Sequence, residues 1–251
     1  KLAPGEARSR GKQIQDLLDD ETVEVPWQLR DADYTYLGSE PLDRDHYISQ
    51  EWCDKETENL WSRVWQLACF EQDIPEVGDH IVYDIVDWSF ILVRTEPDTI
   101  KAFYNSCLHR GRRLCTNELE SANKPEFRCP FHGITWNVNG SLKAIPPSIE
   151  FDFPHVDKDK FSLPEVRCER WDGFVFINID DNAEPLMDFL GDITKHFERW
   201  PFANRWKATH SAKIVDSNWK LAQEAFMEAF HVLATHPQMS IGLLGGDGSN
   251  T

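Results

Sequence analysis

Two short segments of the sequence each join one cysteine to one histidine. One residue separates Cys107 from His109, and two residues separate Cys129 from His132. Thiolates and imidazoles are soft to borderline metal ligands, and two of each can bind zinc or an iron–sulfur cluster. A glycine follows each histidine within two residues, a repeated pattern that chance seldom produces. The four side chains therefore predict a bound metal ion or cluster.

A second group of metal-ligand residues lies near the end of the sequence, where His231 and His236 accompany Glu224 and Glu228. Residues five apart on an ideal α-helix point about 140° apart, so the two histidines cannot face one ion while the helix continues. Pro237 disfavours the α conformation for His236 and frees it to turn. Glu228 shares a helical face with His231, where a carboxylate can orient the imidazole or approach the metal. With this break in the helix, the two histidines can reach one metal ion, although an isolated pair at this spacing more often consists of one solvated and one structural histidine.

The elements that must position these groups are predicted from hydrophobic patterns. Short apolar runs after residue 78, separated by turn residues, predict an antiparallel meander. Asn139-Gly140 predicts a hairpin, and residues 173–180 predict a further strand. Helices are predicted at residues 14–18, from an N-cap at Ser49 to about residue 65, over residues 186–200 and around the second histidine pair, with a strand over residues 208–217.

Composition limits the classes of function. The chain has 251 residues, 41% of them hydrophobic, which suffices for one large domain or two ordinary ones. A formal charge of −17 argues against binding nucleic acid or an anionic membrane through bulk charge. No apolar run is long enough to span a membrane and no secretory signal begins the sequence, so we predict a cytoplasmic protein. Because the first residue is Lys, we expect the natural N-terminus to lie upstream, and a removed targeting segment is left open.

The motifs C-L-H-R-G and C-P-F-H-G-I-T-W resemble the two loops of a Rieske [2Fe–2S] domain. The resemblance implies that Cys107 and Cys129 hold one iron of the cluster while His109 and His132 hold the other. The linker between the loops is slightly long for this family, which predicts a surface insertion around residues 118–125.

Other cysteines and a group of arginines surround these loops in the sequence. Cys115 has no partner cysteine near the second loop, which disfavours the respiratory-chain type of Rieske protein. Three other cysteines are predicted to be buried apolar residues: Cys53, Cys69 and Cys168. The basic residues Arg110, Arg112 and Arg113 either form a solvated loop or act near the cluster, by hydrogen bonding or by docking an electron donor.

Residues 218–236 resemble the iron-binding helix of Rieske non-haem iron oxygenases, the large subunits of ring-hydroxylating dioxygenases and their monooxygenase relatives. The two resemblances together cover residues 45–240. They imply that His231 and His236 hold a mononuclear iron. Glu228 takes the place of an aspartate that bridges to a cluster-bound histidine of the neighbouring subunit. Glu224 stands where relatives carry an asparagine beside the iron, and whether it approaches the metal is left open.

The family completes its iron site with a carboxylate from a later helix. Either Glu224 or Glu228 substitutes for that carboxylate, or the sequence is a fragment and the third ligand lies beyond Thr251. We expect a fragment, because about 85 residues could hardly enclose a substrate pocket. Three further residues are expected in that pocket or in the core: Phe226, Met227 and Phe230.

The expected fold is α+β, an antiparallel β Rieske [2Fe–2S] domain followed by the start of an α+β, helix-grip-like catalytic domain. We place an N-terminal arm packing on the catalytic domain at residues 1–48, the Rieske domain at 49–165 and the incomplete catalytic domain at 166–251.

The expected function is that of an oxygenase component that hydroxylates an organic substrate with O2. The family resemblance makes an aromatic substrate the first expectation. The resemblance implies electrons from NAD(P)H through a reductase, with or without a ferredoxin, and a trimer-based assembly. Two alternatives are an electron-transfer Rieske protein without oxygenase activity and a zinc-stabilised binding module.

Overall fold

The structure is a computed structural model that describes residues 14–30, 40–116, 121–151, 153–228, 231–236 and 238. The chain divides into two compact units, Lys1–His46 and Tyr47–Thr251. None of the helices in the described part of the chain has both the length and the apolar character needed to cross a bilayer.

The described residues of the first unit include two short helices, α1 (Ile14–Asp19) and α2 (Trp27–Arg30). The guanidinium of Arg30 pairs with the carboxylate of Asp19 at 2.5 Å, and the Gln15 amide donates to the carbonyl oxygen of Leu29 at 2.9 Å. The helical pattern predicted near residues 14–18 is confirmed. A third short helix, α3 (Asp45–Ile48), spans the division between the units.

The helix predicted from Ser49 forms, but it ends early and changes its winding. It comprises α4 (Gln50–Glu56) followed directly by one π-helical turn, Thr57–Trp61. Ser49 occupies the N-cap position without a capping side-chain hydrogen bond. The helix does not reach residue 65, because Gln66 already pairs with the adjacent strand.

Two antiparallel sheets follow, as the meander and hairpin patterns predict. Within the described residues the strands are β1 (Gln66–Phe70), β2 (Asp79–Ile85), β3 (Trp88–Glu96), β4 (Thr99–Tyr104), β5 (Ala122–Asn123), β6 (Glu126–Arg128), β7 (Thr135–Asn137), β8 (Leu142–Ala144), β9 (Glu165–Trp171) and β10 (Phe174–Asn178). Seven of these described strands form the larger sheet, in the order β1-β10-β9-β4-β3-β2-β5, and the smaller sheet has the order β6-β7-β8. Part of the expected insertion at residues 118–125 is thus strand β5, and residues 117–120 lie outside the described residues.

Strand β3 is buried on both faces and separates two cores. Ile91 and Val93 belong to the core that also contains the cysteines of both metal-ligand motifs, whereas Phe90 and Leu92 belong to the core on the opposite face. This alternation follows from the two-residue period of a strand. The first motif loop therefore leaves a fully packed sheet, and the cysteines of both loops belong to the core on one face of that sheet.

The Asn139-Gly140 hairpin joins β7 to β8 as predicted. Gly140 adopts φ = +85°, and a Cβ atom at this position would lie only 2.5 Å from the ring of Phe103. Glycine is needed here both for the backbone conformation and for the close approach to the core.

Two predictions for the region after β10 are wrong. The helix expected over residues 186–200 is broken into α6 (Leu186–Leu190) and α7 (Ile193–His196), because Gly191 takes φ = +52° and ends the first helix. The strand expected over residues 208–217 does not form, since no described strand pairs with it, and Ile214 is 96% exposed. Two short helices follow, α8 (Trp219–Glu224) and α9 (Val232–Thr235), with α5 (Pro147–Glu150) lying earlier in the chain.

Candidate metal centres

The two Cys/His motifs form loops with the same backbone hydrogen bonds. In the first, after β4, the N–H of Cys107 donates to the carbonyl of Arg112 (2.8 Å), and the N–H of Gly111 donates back to Cys107 (2.9 Å). In the second, between β6 and β7, Cys129 donates to Ile134 (2.8 Å), and the glycine four residues after the cysteine donates back to it (3.0 Å). Both glycines have positive φ, +73° and +80°, which explains the repeated glycine in the sequence.

The two cysteines lie inside these turns. Cys107 is 3% exposed and Cys129 is 2% exposed, and neither forms a disulfide. Burial raises the pKa of the Cys107 thiol, and the neighbouring Cys129 thiol acts in the same direction. The backbone N–H groups of His109 and Arg110 donate to the Cys107 sulfur and act in the opposite direction. Amide donors directed at a buried sulfur favour its thiolate form, which is the form that binds metal.

The two histidines of the motifs meet beside the cysteines. The Nδ1 atoms of His109 and His132 are 3.1 Å apart, and their ring centroids are 4.8 Å apart. Both rings are half-buried, with Phe153 packed against the first and Phe131 against the second. The nitrogen lone pairs of two imidazoles can therefore reach the same small volume.

The arrangement is two pairs, one of thiols and one of imidazoles. Among the described residues, no group of three or more His, Cys, Asp or Glu side chains could hold a single metal ion. A binuclear Rieske cluster takes two protein ligands on each iron, two cysteines on one and two histidines on the other. The donor set fits such a cluster better than it fits a zinc site with four ligands around one ion.

One residue of this site carried no signal in our reading of the sequence. Asn105 is 2% exposed and lies two residues before Cys107. Its amide makes four side-chain hydrogen bonds, three of them to the backbone that returns from the first loop. The position of an asparagine directly after an apolar strand and before a ligand cysteine was the available clue.

The three arginines of the first loop have different environments. Arg113 pairs with Asp84 at 2.6 Å, which fits the solvated-loop interpretation for this residue. Arg110 and Arg112 are exposed and line a groove of about 690 Å³ together with residues of the second loop, including Phe131, which is 62% exposed. A cationic and aromatic groove thus lies next to the histidine pair.

The predictions for the remaining cysteines have mixed outcomes. Cys69 is buried and Cys168 is half-buried, in agreement with an apolar role. The prediction of a buried Cys53 is wrong, because no residue of α4 is buried and Cys53 is exposed. Cys115 is buried and makes no disulfide; burial raises the pKa of its thiol to about 11, and the nearby Lys124 opposes the shift.

Helix α8 precedes the second pair of histidines and is held at both of its ends. Asn218 caps this helix, because its side-chain oxygen accepts the N–H of Lys220 at 3.0 Å, and its amide donates to the carbonyl oxygen of Tyr47 at 3.0 Å. The hydroxyl of Tyr47 donates to the carboxylate of Glu224 at 3.0 Å. Tyr47 therefore holds both ends of α8.

Helix α8 is also held by the helix before the first sheet. The Glu56 carboxylate accepts the indole N–H of Trp219 at 2.9 Å and pairs with the ammonium of Lys220. The indole rings of Trp61 and Trp219 pack edge to face, with centroids 5.0 Å apart. These contacts fix the start of the segment that carries the two histidines.

The helix breaks between Glu224 and His231 as well as at His236. His231 is the N-cap of α9, and its Nδ1 atom lies 2.5 Å from a carboxylate oxygen of Glu228, whose other oxygen accepts the His231 backbone N–H at 3.2 Å. His236 leaves the α conformation (φ = −124°, ψ = 57°), as predicted from the proline that follows it. The two imidazole centroids are 5.6 Å apart, so the predicted histidine pair is brought together.

The structure describes two of the three residues predicted for a substrate pocket. Phe226 is 90% exposed and Met227 is 76% exposed, whereas Phe230 lies outside the described residues. Their place in a pocket stays a prediction, as does a third iron ligand beyond Thr251.

Comparison with known families tests the resemblance to both motifs. The Rieske [2Fe-2S] domain model matches residues 64–155, and the model of the catalytic domain of ring-hydroxylating alpha subunits matches residues 197–248. The chain belongs to the Rieske oxygenase alpha-subunit family. The expected α+β fold with an antiparallel Rieske domain is confirmed.

Curated relatives of this Rieske oxygenase chain include both monooxygenases and dioxygenases. The carnitine monooxygenase oxygenase subunit of Escherichia coli (strain K12) is 31% identical over 77% of the chain and 51% of the relative. The biphenyl 2,3-dioxygenase subunit alpha of Rhodococcus jostii (strain RHA1) is 28% identical over 86% of the chain and 48% of the relative. The chain therefore spans about half the length of the curated relatives it matches.

Solved structures give the same result for this Rieske oxygenase chain. The quaternary ammonium Rieske monooxygenase CntA in complex with L-carnitine superposes with a TM-score of 0.70 at 26% identity, over 78% of this chain and 55% of that one. Naphthalene 1,2-dioxygenase from Rhodococcus sp. superposes with a TM-score of 0.65 at 31% identity, over 77% and 44%.

Proposed function

We propose that the chain binds a [2Fe–2S] cluster through the two thiols on one iron and the two imidazoles on the other. The ligands are Cys107, Cys129, His109 and His132. The proposal is supported by the matched turns, the buried thiols and the 3.1 Å separation of the histidine nitrogens. Neutral imidazoles leave the cluster less negative than four thiolates would, which raises its reduction potential.

We propose that His231 and His236 hold a mononuclear iron. Because the Glu228 carboxylate accepts from Nδ1 of His231, it leaves the Nε2 lone pair of that ring free for the metal. We keep for Glu228 the second role that the family resemblance implies, a bridge to a cluster histidine of a neighbouring subunit. The Glu224 carboxylate accepts the hydroxyl of Tyr47, and its approach to the iron stays a prediction of the family resemblance.

These two sites together support the function of an oxygenase component, namely the α subunit of a ring-hydroxylating oxygenase. Electrons from NAD(P)H, delivered by a reductase with or without a ferredoxin, would be stored by the cluster, and the iron would supply O2 chemistry for hydroxylating an organic substrate. The chain's own residues bind these groups, shield the sulfurs from water and orient the imidazoles. The order of the two sites along one chain is the observation that carries the proposal.

The wider assignments follow from the same proposal. The first candidate is an aromatic substrate, as the family resemblance implies. The second candidate is a quaternary ammonium substrate, which the similarity to carnitine monooxygenase supports. We propose the domain limits 1–48, 49–165 and 166–251, a trimer-based assembly and a cytoplasmic location. Three residues are proposed for the substrate pocket: Phe226, Met227 and Phe230.

Metal analysis and spectroscopy test the function. Chains purified without oxygen are expected to hold two irons and two labile sulfides as the cluster, with a Rieske EPR signal, and one further iron. His231→Ala and His236→Ala are expected to lose only the further iron. A Rieske signal without additional iron would support the electron-transfer alternative, and zinc without labile sulfide would refute both iron sites.

We propose that the groove beside the histidine pair contacts the electron donor. Arg110 and Arg112 provide two cations on a chain of charge −17, and Phe131 of the second loop provides an apolar surface in the same groove. Replacing both arginines by serine is expected to slow cluster reduction by the donor most strongly at low ionic strength, because exposed charges are screened by salt. Arg199→Ser, a substitution of an exposed arginine away from the loops, is the control, and equal effects in both variants would refute this contact.

A further inference from the structure

We propose that Asn105 is a positioning residue for the cluster, because its side chain closes the first ligand loop in the way that strand pairing closes the second. The inference rests on the [2Fe–2S] site proposed above and concerns a residue outside the ligand set.

The second loop is closed by its own hairpin. Two residues before Cys129, Phe127 of β6 pairs with Trp136 of β7, seven residues after that cysteine. The turn that carries Cys129 and His132 is therefore held between two hydrogen-bonded strands, whose pairs extend from Glu126 to Asn137. Such a ladder fixes the separation of the loop ends.

The first loop makes the same turn but has no returning strand. Residues 111–116 form no strand, although the Cys107 N–H bonds to Arg112 just as in the second loop. Counting from Cys107, Asn105 occupies the position two residues before the cysteine, and Leu114 occupies the position seven residues after it. These two positions correspond to the strand pair that closes the second loop.

The Asn105 side chain supplies the missing pairing. Its Oδ1 atom accepts the backbone N–H groups of Leu114 (2.9 Å) and Cys115 (3.0 Å), and its Nδ2 group donates to the Cys115 carbonyl (2.8 Å). The second hydrogen of the amide goes to the hydroxyl of Ser89 on strand β3 (3.0 Å). One primary amide thus reproduces donor and acceptor contacts that a strand would make through its backbone.

The position also explains why an amide is required. Asn105 is 2% exposed, and its own backbone N–H extends the sheet by donating to the Ser89 carbonyl at 2.9 Å. A buried amide must satisfy its donors and acceptors, and an apolar residue here would leave the returning backbone groups unpaired. The side chain therefore sets where the loop returns, and with it the separation of Cys107 and His109 from the second loop.

Cluster stability in the intact chain tests this role. Asn105→Ala is expected to lose its cluster to a chelator at least about tenfold faster than the unmodified chain, because four buried hydrogen bonds of the loop are removed together. Asn105→Asp keeps the acceptor for the two N–H groups, but its carboxylate repels the Cys115 carbonyl oxygen. Its rate of cluster loss should therefore lie between the rates of the unmodified chain and of Asn105→Ala, and the midpoint potential of its cluster should shift. Asn178→Ala is the matched control: Asn178 is 1% exposed and bonds to the backbone of Arg63 and Asp180.

The control variant, Asn178→Ala, is expected to lose its cluster at a rate within about twofold of the unmodified chain. The rates are compared at denaturant concentrations that give each variant the same free energy of unfolding. Equal rates of cluster loss in the Asn105→Ala and Asn178→Ala variants, or an unchanged midpoint potential in Asn105→Asp, would overturn this inference but leave the proposed function standing. Failure of the unmodified chain to bind a [2Fe–2S] cluster would overturn the proposed function and this inference with it. If Asn105→Ala does not fold, the near-isosteric aspartate variant still decides between these outcomes.

Discussion

The contact between Glu228 and His231 gives a measurable expectation for the second metal site. The carboxylate holds the imidazole through Nδ1 and also accepts the backbone N–H of His231, so it fixes both the ring orientation and the tautomer. Removing this acceptor by Glu228→Ala is expected to weaken Fe(II) binding, because the ring must then be ordered by the metal alone.

The size of the effect follows from the exposure of the pair. Hydrogen bonds to charged groups contribute about 1.5–3 kcal/mol net, but these side chains are 32% and 36% exposed, which favours the low end of that range. A loss of about 1.5 kcal/mol corresponds to roughly tenfold weaker binding. Glu228→Gln keeps a neutral acceptor and loses about 1 kcal/mol, or roughly fivefold.

Competition with a chelator for Fe(II) under anaerobic conditions measures these affinities. The control is Glu224→Gln, whose carboxylate is bonded to Tyr47 rather than to the histidine, and cluster content should be unchanged in every variant because its ligand loops are separate. If Glu224→Gln weakens iron binding more than Glu228→Ala does, Glu224 is the carboxylate that serves the metal and the orienting role assigned to Glu228 is refuted.

Two predictions concern the cores and loops around the cluster. Gly140→Ala is expected to destabilise the chain by about 2–4 kcal/mol in urea unfolding, because of its positive φ and the contact with Phe103. Gly111→Ala, whose Cβ would make only an ordinary contact with Ser106 Oγ at 3.9 Å, should cost about 1 kcal/mol; equal costs would contradict the steric argument. Burial raises the thiol pKa of Cys115 to about 11 and of Cys168 to about 12, from 9.0. Because the folded chain favours the protonated thiols, these two groups should leave the free energy of unfolding constant below about pH 9 and should lower it as the pH rises further. Unfolding midpoints at pH 8 and pH 10.5 measure this change, and a higher midpoint at pH 10.5 would contradict the argument.

Local patterns predicted the strands and the hairpin well, and the structure brings the members of both histidine pairs close together. The alternating runs produced β2 to β4, and the Asn139-Gly140 turn produced the hairpin, because these features depend on neighbouring residues. The non-α conformation of His236 follows from the proline after it in the same way. Where the chemistry of a few adjacent residues decides the backbone, the sequence is sufficient.

The errors arise where distant contacts decide the outcome. Residues 208–217 have a strand-like composition, but a strand needs a partner, and the described sheets supply none. The role of Asn105 depends on a chain segment that returns nine residues later, so its position before a ligand cysteine marks the residue but does not predict its partners. Gly191 could have been recognised as a helix terminus, because it interrupts an otherwise continuous apolar pattern.

The π-helical turn at Thr57–Trp61 makes the second metal site sensitive to insertions and deletions far away in sequence. It places Trp61 edge to face with Trp219 at the start of α8. Inserting or deleting one residue in α4, with the winding of the helix unchanged, would rotate Trp61 by about 100° relative to the start of that helix, away from that ring. A change of length in a helix before the first strand would thereby release the helix that leads to the iron-binding histidines, so homologous chains that keep this tryptophan pair should also keep the length of this helix.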